Sequence, residues 1–413
     1  MKITPVKGTA DYLPKEVLVR DYLQSTILET YRSCGFERIT TPIIEDIENL
    51  DKSEGGENLN LIFKIMKRGE KLDEALASGN AKEISDMGLR YDLTLPLTRY
   101  YANNRAKLPS PFKVIQIDKV YRAERPQKGR MREFMQCDID IIGSDSYTSE
   151  VELISTTAKA LQSIGFDNFK IRINDRRLLK AIIMSAGFGE ADCDSVCISL
   201  DKLDKIDVDG VRAELCDKGF DAACVDKLMA GVAKKPFTLD TATEMCGELD
   251  CIANLRRIME LANSLTDGKY TVEYDMTLVR GQGYYTGTVF EISSPEFRGA
   301  IGGGGRYDNL IGKFLGESIP AVGFSIGFER IAGILLDKNY AIPSAKEKLA
   351  VIYTEENFPA ALVHANKLRE SYDVALHEAP KKLGKLFARL EESGYAGCIV
   401  EGNDEIKWFG DRF

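Results

Sequence analysis

The sequence predicts an α+β protein in which an antiparallel sheet is flanked by helices, with a helical insertion and a separate C-terminal α/β domain. Two alternating segments, 112–124 and 132–142, are joined by a short basic stretch and predict a long β-hairpin. Residues 185–263 carry short helical patterns, and the residues after 348 alternate between strand and helix patterns. A chain of 413 residues is long enough to bury two or three cores.

The elements before the hairpin follow from apolar spacing and turn residues. Apolar residues recur at helical intervals from 15 to 33 and predict the first helix, which Gly35 ends. We expect a strand over 38–44, a polar loop over 51–60 and a charged helix or insertion over 69–84. The loop and the charged segment carry no motif of a chemical site.

The domain boundaries follow from changes in composition. We expect a main domain over residues 1–335, interrupted at 185–263 by the helical, cysteine-rich insertion. Beyond the insertion, strands are predicted at 270–278 and 286–292, and a strand that runs into a helix is predicted over 321–330. A linker over 336–347 leads to a small C-terminal domain, 348–413, whose β-α-β-α-β order is typical of a parallel sheet.

Composition excludes several classes of protein. With 44% apolar and 29% charged residues, the chain has an ordinary soluble composition. It has no apolar run near twenty residues and no secretory signal at its start, so we expect a cytoplasmic protein without a membrane partner. Its nine cysteines include no CxxC pair, so we expect neither a disulfide framework nor a metal site.

The positions of the histidines limit the possible chemistry. Both of them, His364 and His377, lie in the last fifty residues. Unless the C-terminal segment folds back into a distant site, chemistry in the first 363 residues proceeds without a histidine base or ligand. A Ser-His or Cys-His nucleophile pair and an HExxH metal helix are therefore excluded there.

A local basic cluster stands out against the net charge of −9, which itself argues against unselective nucleic-acid binding. Five basic residues accompany one acid, Glu124, in the hairpin connection: Arg122, Arg125, Lys128, Arg130 and Arg132. The cluster indicates either a phosphate-binding surface or a solvated hairpin tip. Charge alone does not separate the two.

The second hairpin strand has a polar and an apolar face. Period two places Phe134, Gln136, Asp138 and Asp140 on one face, while Cys137 and the alternating apolar residues point the other way. An ordinary half-exposed sheet alternates in the same manner. The pattern therefore indicates a candidate site without distinguishing it from a solvent-facing surface.

The charged residues favour transfer at phosphorus. Neither GxxxxGK[ST] nor GxGxxG occurs between a strand and a helix, which excludes P-loop and Rossmann folds, and the glycines at 302–305 either approach a ligand or form a tight turn. Arginine binds phosphate bidentately and is not a base near neutral pH. A substrate carboxylate can attack phosphorus unaided, with Mg²⁺ and fixed cations neutralising charge. The candidate groups are Arg122, Arg130, Arg280 and Arg330, with Asp92, Glu124, Asp138 and Asp140.

Six segments carry a recognisable set of motifs. They are residues 35–42, 89–94 (LRYDLT), 121–136 (YRAERPQKGRMREFMQ), 278–287 (LVRGQGYYTG), 303–308 (GGGRYD) and 323–330 (GFSIGFER). The first, third and last resemble motifs 1, 2 and 3 of class II aminoacyl-tRNA synthetases. The other three are similar to segments typical of the histidyl-tRNA synthetase family, and the likeness extends over almost the whole chain.

This resemblance implies a class II antiparallel catalytic sheet that activates L-histidine with ATP and Mg²⁺ and then charges tRNA(His). It implies ATP-binding roles for Arg122, Glu124, Arg130, Phe134 and Arg330, and catalytic roles for Arg280, Arg122 and Arg330. It implies histidine-binding roles for Asp92, Thr94, Gln136, Asp140, Tyr284, Tyr285 and Tyr307. A buried carboxylate and hydroxyl would reject isosteres that lack the ring nitrogens.

The resemblance also implies partners. Arg125 and Gln127 would read the acceptor end of the tRNA, motif 1 would form a homodimer, and the last domain resembles an anticodon-binding module. The chain departs from the bacterial pattern at Met135 and at Gln282-Gly283, where a histidine and Leu-Asp are common. These departures concern histidine contacts.

Two alternative functions remain open at this point. One is the regulatory subunit of ATP phosphoribosyltransferase, a synthetase-like protein that binds histidine pathway effectors without charging tRNA. The full set of arginines and the tRNA-reading loop favour the enzyme over it. The other is a class II synthetase of different specificity, against which the segments around Arg280 and Tyr307 argue.

Overall fold

The computed structural model describes residues 3–51, 58–126, 129–234, 236–279, 284–343, 345–400, 402–403 and 405–410. The chain forms two compact units, Met1–Tyr340 and Ala341–Phe413. In the described part, no helix is long and apolar enough to cross a membrane.

The first unit is built on one large sheet. Its strands are β1 Glu37–Arg38, β2 Ile44–Asp46, β3 Lys64–Met66, β4 Ser85–Leu89, β5 Phe112–Tyr121, β6 Glu133–Ile142, β7 Phe169–Asp175, β8 Tyr270–Tyr274, β9 Thr288–Ser294, β10 Phe297–Arg306 and β11 Ala321–Gly327. Eight of them form a sheet in the order β1-β5-β6-β11-β10-β9-β7-β8, and β2, β4 and β3 form a small second sheet. Between β5 and β7 every neighbouring pair in the large sheet is antiparallel, as the sequence predicts.

Helices cover this sheet and form the insertion. They are α1 Pro14–Ser33, α2 Ile47–Leu50, α3 Glu70–Ala77, α4 Thr94–Asn104, α5 Thr148–Ser163, α6 Arg176–Ser185, α7 Cys193–Leu200, α8 Leu203–Asp217, α9 Ala222–Val232, α10 Leu239–Cys246, α11 Asp250–Ser264, α12 Gly312–Leu315 and α13 Phe328–Asp337. The predicted first helix is confirmed as α1, and Gly35 follows it with φ of 84°. Helices α7 to α11 occupy the region predicted to be a helical insertion.

The apolar face of the hairpin lies in the core. Cys137, Ile139 and Ile141 on β6 are at most 1% exposed, and α1, α5 and α13 pack against β5, β6, β10 and β11. Each fully buried aliphatic side chain contributes about 1.5–3 kcal/mol. The residues between them on β6 therefore face the opposite side of the sheet, where the polar groups lie.

The predicted strand over 38–44 is wrong in extent, because β1 ends at Arg38 and β2 begins only at Ile44. The cause is the fully buried side chain of Arg90. Its Nη1 donates to the Thr41 carbonyl oxygen at 2.7 Å and its Nε to the Lys119 carbonyl oxygen at 2.9 Å. The Arg90 side chain thus takes the place of a strand partner at Thr41. Pro42 has no backbone N–H to donate to a neighbouring strand.

The charged helix predicted over 69–84 is also shorter than expected. Helix α3 ends at Ala77, a 3₁₀ turn covers Ala81–Ile84, and strand β4 follows directly. Gly79, with φ of 70°, separates α3 from the turn. The small sheet formed by β2, β4 and β3 was not expected, because each of its strands is at most five residues long.

The second unit is a small α/β fold. Its elements are β12 Lys348–Tyr353, α14 Phe358–Leu368, β13 Asp373–Glu378, α15 Leu383–Glu392, β14 Gly397–Val400 and β15 Lys407–Trp408. The strand order is β13-β12-β14-β15. Strand β12 is parallel to β13 and β14, as predicted, and β15 adds an antiparallel edge that the sequence did not indicate.

The close approach of β10 and β11 depends on glycine, and this can be tested with a pair of glycine-to-alanine variants. A Cβ on Gly304 would lie 1.9 Å from the Gly323 carbonyl oxygen, whereas a Cβ on Gly333 in α13 would have nothing within 4 Å. We expect G304A to lose about 3 kcal/mol or more of the free energy of unfolding. We expect G333A to gain up to about 1 kcal/mol from helix propensity. Urea unfolding measures both, and a G304A variant as stable as the parent would contradict the packing described.

Candidate active site

A cavity of about 560 Å³ opens on the polar face of β6, β10 and β11. The predicted site residues that line it are Thr94, Arg122, Glu124, Arg130, Phe134, Gln136, Asp140, Tyr284, Tyr285, Tyr307 and Arg330. The fold therefore brings together groups that lie up to 236 positions apart in the sequence.

Strand pairing explains why the polar residues of β6 converge. The β5–β6 register runs from Phe112 opposite Ile142 to Tyr121 opposite Glu133. On the other side, β11 places Ser325 opposite Asp138 and Gly323 opposite Asp140. Because side chains alternate along a strand, the even-numbered residues of β6 stay on the cavity face throughout.

Arg122 is held in a fixed orientation at one side of the cavity. Its Nε donates to the Tyr91 carbonyl oxygen at 2.9 Å, and its guanidinium lies 5.1 Å from the centroid of the Phe134 ring. The hydrogen bond and the cation–π contact leave the planar group little freedom. A preoriented guanidinium is suited to bidentate binding of phosphate.

Two further cations lie on the cavity wall. Arg330 Nη1 donates to the Ala300 carbonyl oxygen on β10, and its guanidinium lies 5.6 Å from the Phe297 ring centroid. Arg130, whose side chain is 56% exposed, lies 3.5 Å from a carboxylate oxygen of Glu124. The wall therefore combines a cation held against the sheet with one that remains accessible to solvent.

Glycines make room for the polar groups of this cavity. Gly302 to Gly305 lie within β10, so they form neither a tight turn nor a loop. A Cβ on Gly323, in the neighbouring strand, would lie 1.9 Å from Oδ1 of Asp140. The missing side chain at position 323 is therefore what admits the Asp140 carboxylate.

Asp140 forms the deep end of the site with Tyr307. The Tyr307 hydroxyl donates to Asp140 Oδ1 at 2.6 Å, and both residues are at most 3% exposed. The rings of Tyr284 and Tyr285 meet edge to face with centroids 4.9 Å apart, and Tyr284 contacts Tyr307 in the same manner. The result is an aromatic pocket with one carboxylate acceptor.

Burial sets the protonation behaviour of these carboxyl groups. It raises the pKa of Asp140 to about 7, although the Tyr307 hydroxyl opposes the shift. Burial also raises the pKa of Asp138, and the neighbouring Asp140 adds to that shift. Desolvation disfavours the charged form, so each carboxylate here favours a cation or a hydrogen-bond donor as a partner.

Asp92 and Thr94 lie at the start of α4. Asp92 is 1% exposed, and its Oδ1 accepts the Leu95 backbone N–H at 3.1 Å. Burial raises the pKa of Asp92, while that N–H and Arg122 lower it. Thr94 lines the cavity and is hydrogen-bonded to the Tyr284 hydroxyl. The segment predicted to bind substrate is thus anchored to the aromatic pocket.

Other predicted residues lie elsewhere or outside the described part of the chain. Arg125 is exposed in the connection between β5 and β6. Gln127, Arg280 and the Gln282-Gly283 pair fall outside the described residues. Their roles stay predictions.

One part-buried cluster at the cavity wall, centred on Glu329, was missed. Arg20 of α1 donates to both carboxylate oxygens of Glu329, at 2.7 and 2.8 Å, and the Tyr12 hydroxyl donates to Glu329 at 3.3 Å. Glu329 also accepts the backbone N–H of Met135 at 3.2 Å. The cluster ties the start of α13 to β6, next to Arg330. Each partner of Glu329 in this cluster lies at least 194 positions away from it, so no local pattern could reveal the cluster.

Two cavity residues received no specific role from the sequence, since Asp138 was only one of several candidate carboxylates and Asp201 was not a candidate. Asp138 lies on the polar face predicted from period two, is 4% exposed and lines the cavity between Gln136 and Asp140. Asp201, which follows α7, also lines the cavity, so the helical insertion contributes to its wall. The face pattern was a usable signal for Asp138, whereas nothing in the sequence singled out Asp201.

Comparisons with known proteins agree on one family. A sequence profile described as histidyl-tRNA synthetase matches residues 8–331. The histidine--tRNA ligase of Leifsonia xyli subsp. xyli is 42% identical over 348 residues, which are 81% of this chain and 80% of that protein. The crystal structure of histidyl-tRNA synthetase from Nostoc sp. PCC 7120 has a TM-score of 0.79 at 27% identity, covering 97% of this chain and 92% of that one.

A third likeness concerns the fold alone. A structure from Bacillus halodurans, titled an ATP phosphoribosyltransferase regulatory subunit/histidyl-tRNA synthetase, has a TM-score of 0.78 at 22% identity. It covers 97% of this chain and 98% of that one. The sheet and its helices are therefore common to proteins with either description.

The raised pKa of Asp140 predicts a pH-dependent gain of stability in D140N. The carboxyl has a pKa of about 7 in the folded chain against 3.8 ordinarily, so the folded state loses stability through this group as the pH rises between these values. The side-chain amide oxygen of asparagine can still accept the hydrogen bond from the Tyr307 hydroxyl, and the amide carries no charge. We expect D140N to exceed the parent in stability at pH 8, with the difference shrinking toward pH 4 by at most about 1.4 kcal/mol per pH unit.

Urea unfolding at several pH values measures this difference. D145N provides the control, because it makes the same substitution at an exposed residue in the loop after β6. As a surface substitution, D145N should change the free energy of unfolding by no more than about 0.5 kcal/mol. A pH-independent difference for D140N would show that the Asp140 carboxyl is not destabilised by burial.

Proposed function

The chain belongs to the histidyl-tRNA synthetase family, and we propose that it is a histidine--tRNA ligase, which activates L-histidine with ATP and transfers it to the 3′ end of tRNA(His). One observation carries the proposal. The arginines of the cavity wall and the Asp140–Tyr307 pocket share a single cavity, so an anionic nucleotide and an imidazole-bearing amino acid can be bound side by side.

The first step joins histidine to the nucleotide. A carboxylate oxygen of L-histidine attacks the α-phosphorus of ATP, the bond from that phosphorus to the β-phosphate oxygen breaks, and histidyl-adenylate and pyrophosphate form. The attacking oxygen is already deprotonated, so no general base is needed. Catalysis then consists of placement and neutralisation of charge, for which fixed arginines are suited. The second step transfers the histidyl group to a terminal tRNA hydroxyl and releases AMP.

The cavity wall suits the nucleotide. Arg122 and Arg330 would bind phosphate, Phe134 would stack on adenine, Glu124 would contact the base, and Arg130 at the rim would meet the outer phosphates. Arg280 would neutralise the α-phosphate. The backbone of β10, free of side chains from Gly302 to Gly305, leaves room for the ribose and phosphates to approach the sheet.

Mg²⁺ would enter with the nucleotide. Within the described residues, no group of three or more His, Cys, Asp or Glu side chains is arranged to hold a metal ion. Magnesium commonly binds through substrate phosphates together with one or two protein carboxylates. Bound in this way, it would neutralise charge on the phosphates during the displacement.

The deep pocket suits the histidine side chain. The Asp140 carboxylate would accept an imidazole N–H, and Tyr307, which donates to Asp140, would fix its orientation. Tyr284 and Tyr285 would enclose the ring, while Asp92, Thr94 and Gln136 would hold the ammonium and carboxylate end. A ligand without ring nitrogens would leave the buried carboxylate unpaired, which is the physical basis for rejecting it.

The regulatory-subunit alternative is less well supported. Such a protein needs no set of phosphate-binding arginines around a substrate pocket, and here Arg122, Arg130 and Arg330 all line the cavity. The Leifsonia xyli relative, which is 42% identical, carries the ligase description. The Bacillus halodurans likeness extends only to the fold.

The proposal includes tRNA and a second copy of the chain as partners, in the cytoplasm. Arg125 and Gln127 would read the acceptor end, and residues 348–413 would act as an anticodon-binding-like domain. Ile44, Met66 and Met87, on β2, β3 and β4, are 51%, 60% and 38% exposed. An apolar face of this kind on a small sheet next to motif 1 favours a homodimer interface.

Loss of Arg122 tests the nucleotide role directly. We expect R122A to lower histidine-dependent ATP–pyrophosphate exchange by about 10²-fold or more, because a preoriented cation is removed from the site of charge development. R256A is the matched control, since Arg256 lies on α11 and pairs at the surface with Asp240. Exchange by R122A at the rate of R256A would refute the role of Arg122.

Loss of Arg125 tests tRNA reading. We expect R125A to reduce charging of tRNA(His) by about 10-fold or more, as loss of a specific base contact does, while exchange in the absence of tRNA stays at the parent rate. The two reactions of one variant serve as each other's control. An equal loss in both would indicate that Arg125 maintains the structure of the loop.

The homodimer is tested by sedimentation. We expect a mass of about twice the 46.0 kDa of one chain for the parent and a shift toward the monomer for I44D, because a buried charge opposes association. I198D changes an isoleucine of α7 that is 60% exposed and should leave the mass unchanged. A parent protein that sediments as a monomer at micromolar concentration would contradict the dimer.

A further inference from the structure

Three acceptor oxygens lie at or beside the polar face of the cavity, which Gln136 and Asp138 line and next to which Asp92 lies. Asp92 Oδ2, Gln136 Oε1 and Asp138 Oδ1 are buried and have no hydrogen-bond partner among the described residues. The exposed fractions of Asp92 and Asp138 are 1% and 4%. Buried acceptors in native proteins are nearly always paired, so a local group of unpaired ones calls for a ligand that donates.

Asp138 lies on the face of β6 that directs its carboxylate toward these unpaired acceptors. On β6 it lies between Gln136 and Asp140 on the cavity face, and it lines the cavity. Gln136 Nε2 lies 3.4 Å from its Oδ2, and Ser325, opposite it on β11, hydrogen-bonds to the carboxylate. The remaining oxygen, Oδ1, is left for a group that enters the cavity.

The local charge favours a cationic donor. Asp138, Asp140 and Asp92 are close enough to influence one another, and burial raises the pKa of each. The single positive charge of Arg122 acts on both Asp92 and Asp138. Asp140 is engaged by Tyr307. The group formed by Asp92, Asp138 and Asp140 therefore has more carboxylates than the one cation that acts on it, and this imbalance is unfavourable in a buried site.

A primary ammonium group has one positive charge and three N–H donors, which matches three unpaired acceptors. We propose that Asp138 is a substrate-binding residue that holds the α-ammonium group of the amino acid together with Asp92 and Gln136. This inference rests on the proposed function, in which the cavity binds L-histidine, and it assigns Asp138 a role that the motif resemblance does not. Asp138 thereby makes a free α-amine a requirement for binding.

The test compares D138N with the parent by calorimetry, using L-histidine, L-histidinol and ATP as ligands. Histidine and histidinol both carry the ammonium group, whereas ATP carries none. We expect D138N to weaken binding of histidine and histidinol by about 10- to 100-fold, as loss of a charge-assisted hydrogen bond does, and to change ATP binding by less than about 2-fold. D145N, with the exposed residue of the following loop, should bind all three as the parent does.

Urea unfolding of D138N distinguishes a loss of ligand binding from a loss of folding. Removal of a buried, unpaired carboxylate should leave the urea midpoint of D138N at or above that of the parent. Unchanged binding of histidine and histidinol by D138N would overturn the proposal. An equal loss for ATP would also overturn it, because that result would indicate a general disturbance of the cavity.

The proposed function fails in a distinguishable way. If the parent protein binds no L-histidine, the assignment of the cavity is wrong irrespective of Asp138. If the parent binds L-histidine and D138N binds it equally well, only the role of Asp138 is wrong.

Discussion

The rest of the site depends on the burial of three neighbouring carboxylates, two of which line the cavity while the third lies beside them. Asp92, Asp138 and Asp140 are each at most 4% exposed, and burial opposes their ionisation. Each has at least one fixed donor from the protein, such as the Leu95 N–H or the Tyr307 hydroxyl, but Asp92 and Asp138 each keep one buried oxygen without a hydrogen-bond partner among the described residues. Burying carboxylates with unpaired oxygens is energetically unfavourable when no ligand is bound. This group therefore favours a ligand that brings N–H donors and positive charge.

Two structural devices make this arrangement possible. Glycine at 304 and 323 lets β10 and β11 approach each other and leaves the space that the Asp140 carboxylate occupies. Buried ion pairs then hold the frame: Arg306 donates to both oxygens of Glu150 at 2.7 Å, directly before Tyr307 in the chain. Truncating one partner of such a pair leaves an uncompensated buried charge, so these residues stabilise the geometry of the pocket without touching its contents.

Much of the fold could be predicted because it depends on local patterns. Helix α1, the β5–β6 hairpin, the passage from β11 to α13 and the parallel strands of the second unit all follow from apolar spacing. The break between β1 and β2 could not be predicted, because it depends on Arg90 reaching Thr41 from 49 positions away. The β2-β4-β3 sheet has strands too short to show a period.

The candidate site likewise contains residues that the sequence predicted and residues that only the packing reveals. Motif spacing predicted the residues that line the cavity, from Thr94 to Arg330, because those motifs keep chemical groups at fixed strand positions. It gave no role to Asp138, whose significance lies in an unpaired oxygen that only packing reveals. The Arg20–Glu329 pair joins residues 309 positions apart, and the roles of Gln127 and Arg280 remain predictions from the sequence.

The proposed activity requires that the arginines and the Asp140–Tyr307 pocket of one cavity bind ATP and L-histidine together. ATP–pyrophosphate exchange by the purified protein, with Mg²⁺ and each of the twenty amino acids in turn, tests it most directly. We expect exchange with L-histidine and none above background with the other amino acids. Histidine binding without exchange would contradict the claim and favour a regulatory protein, and exchange with a different amino acid would contradict the assignment of the Asp140–Tyr307 pocket.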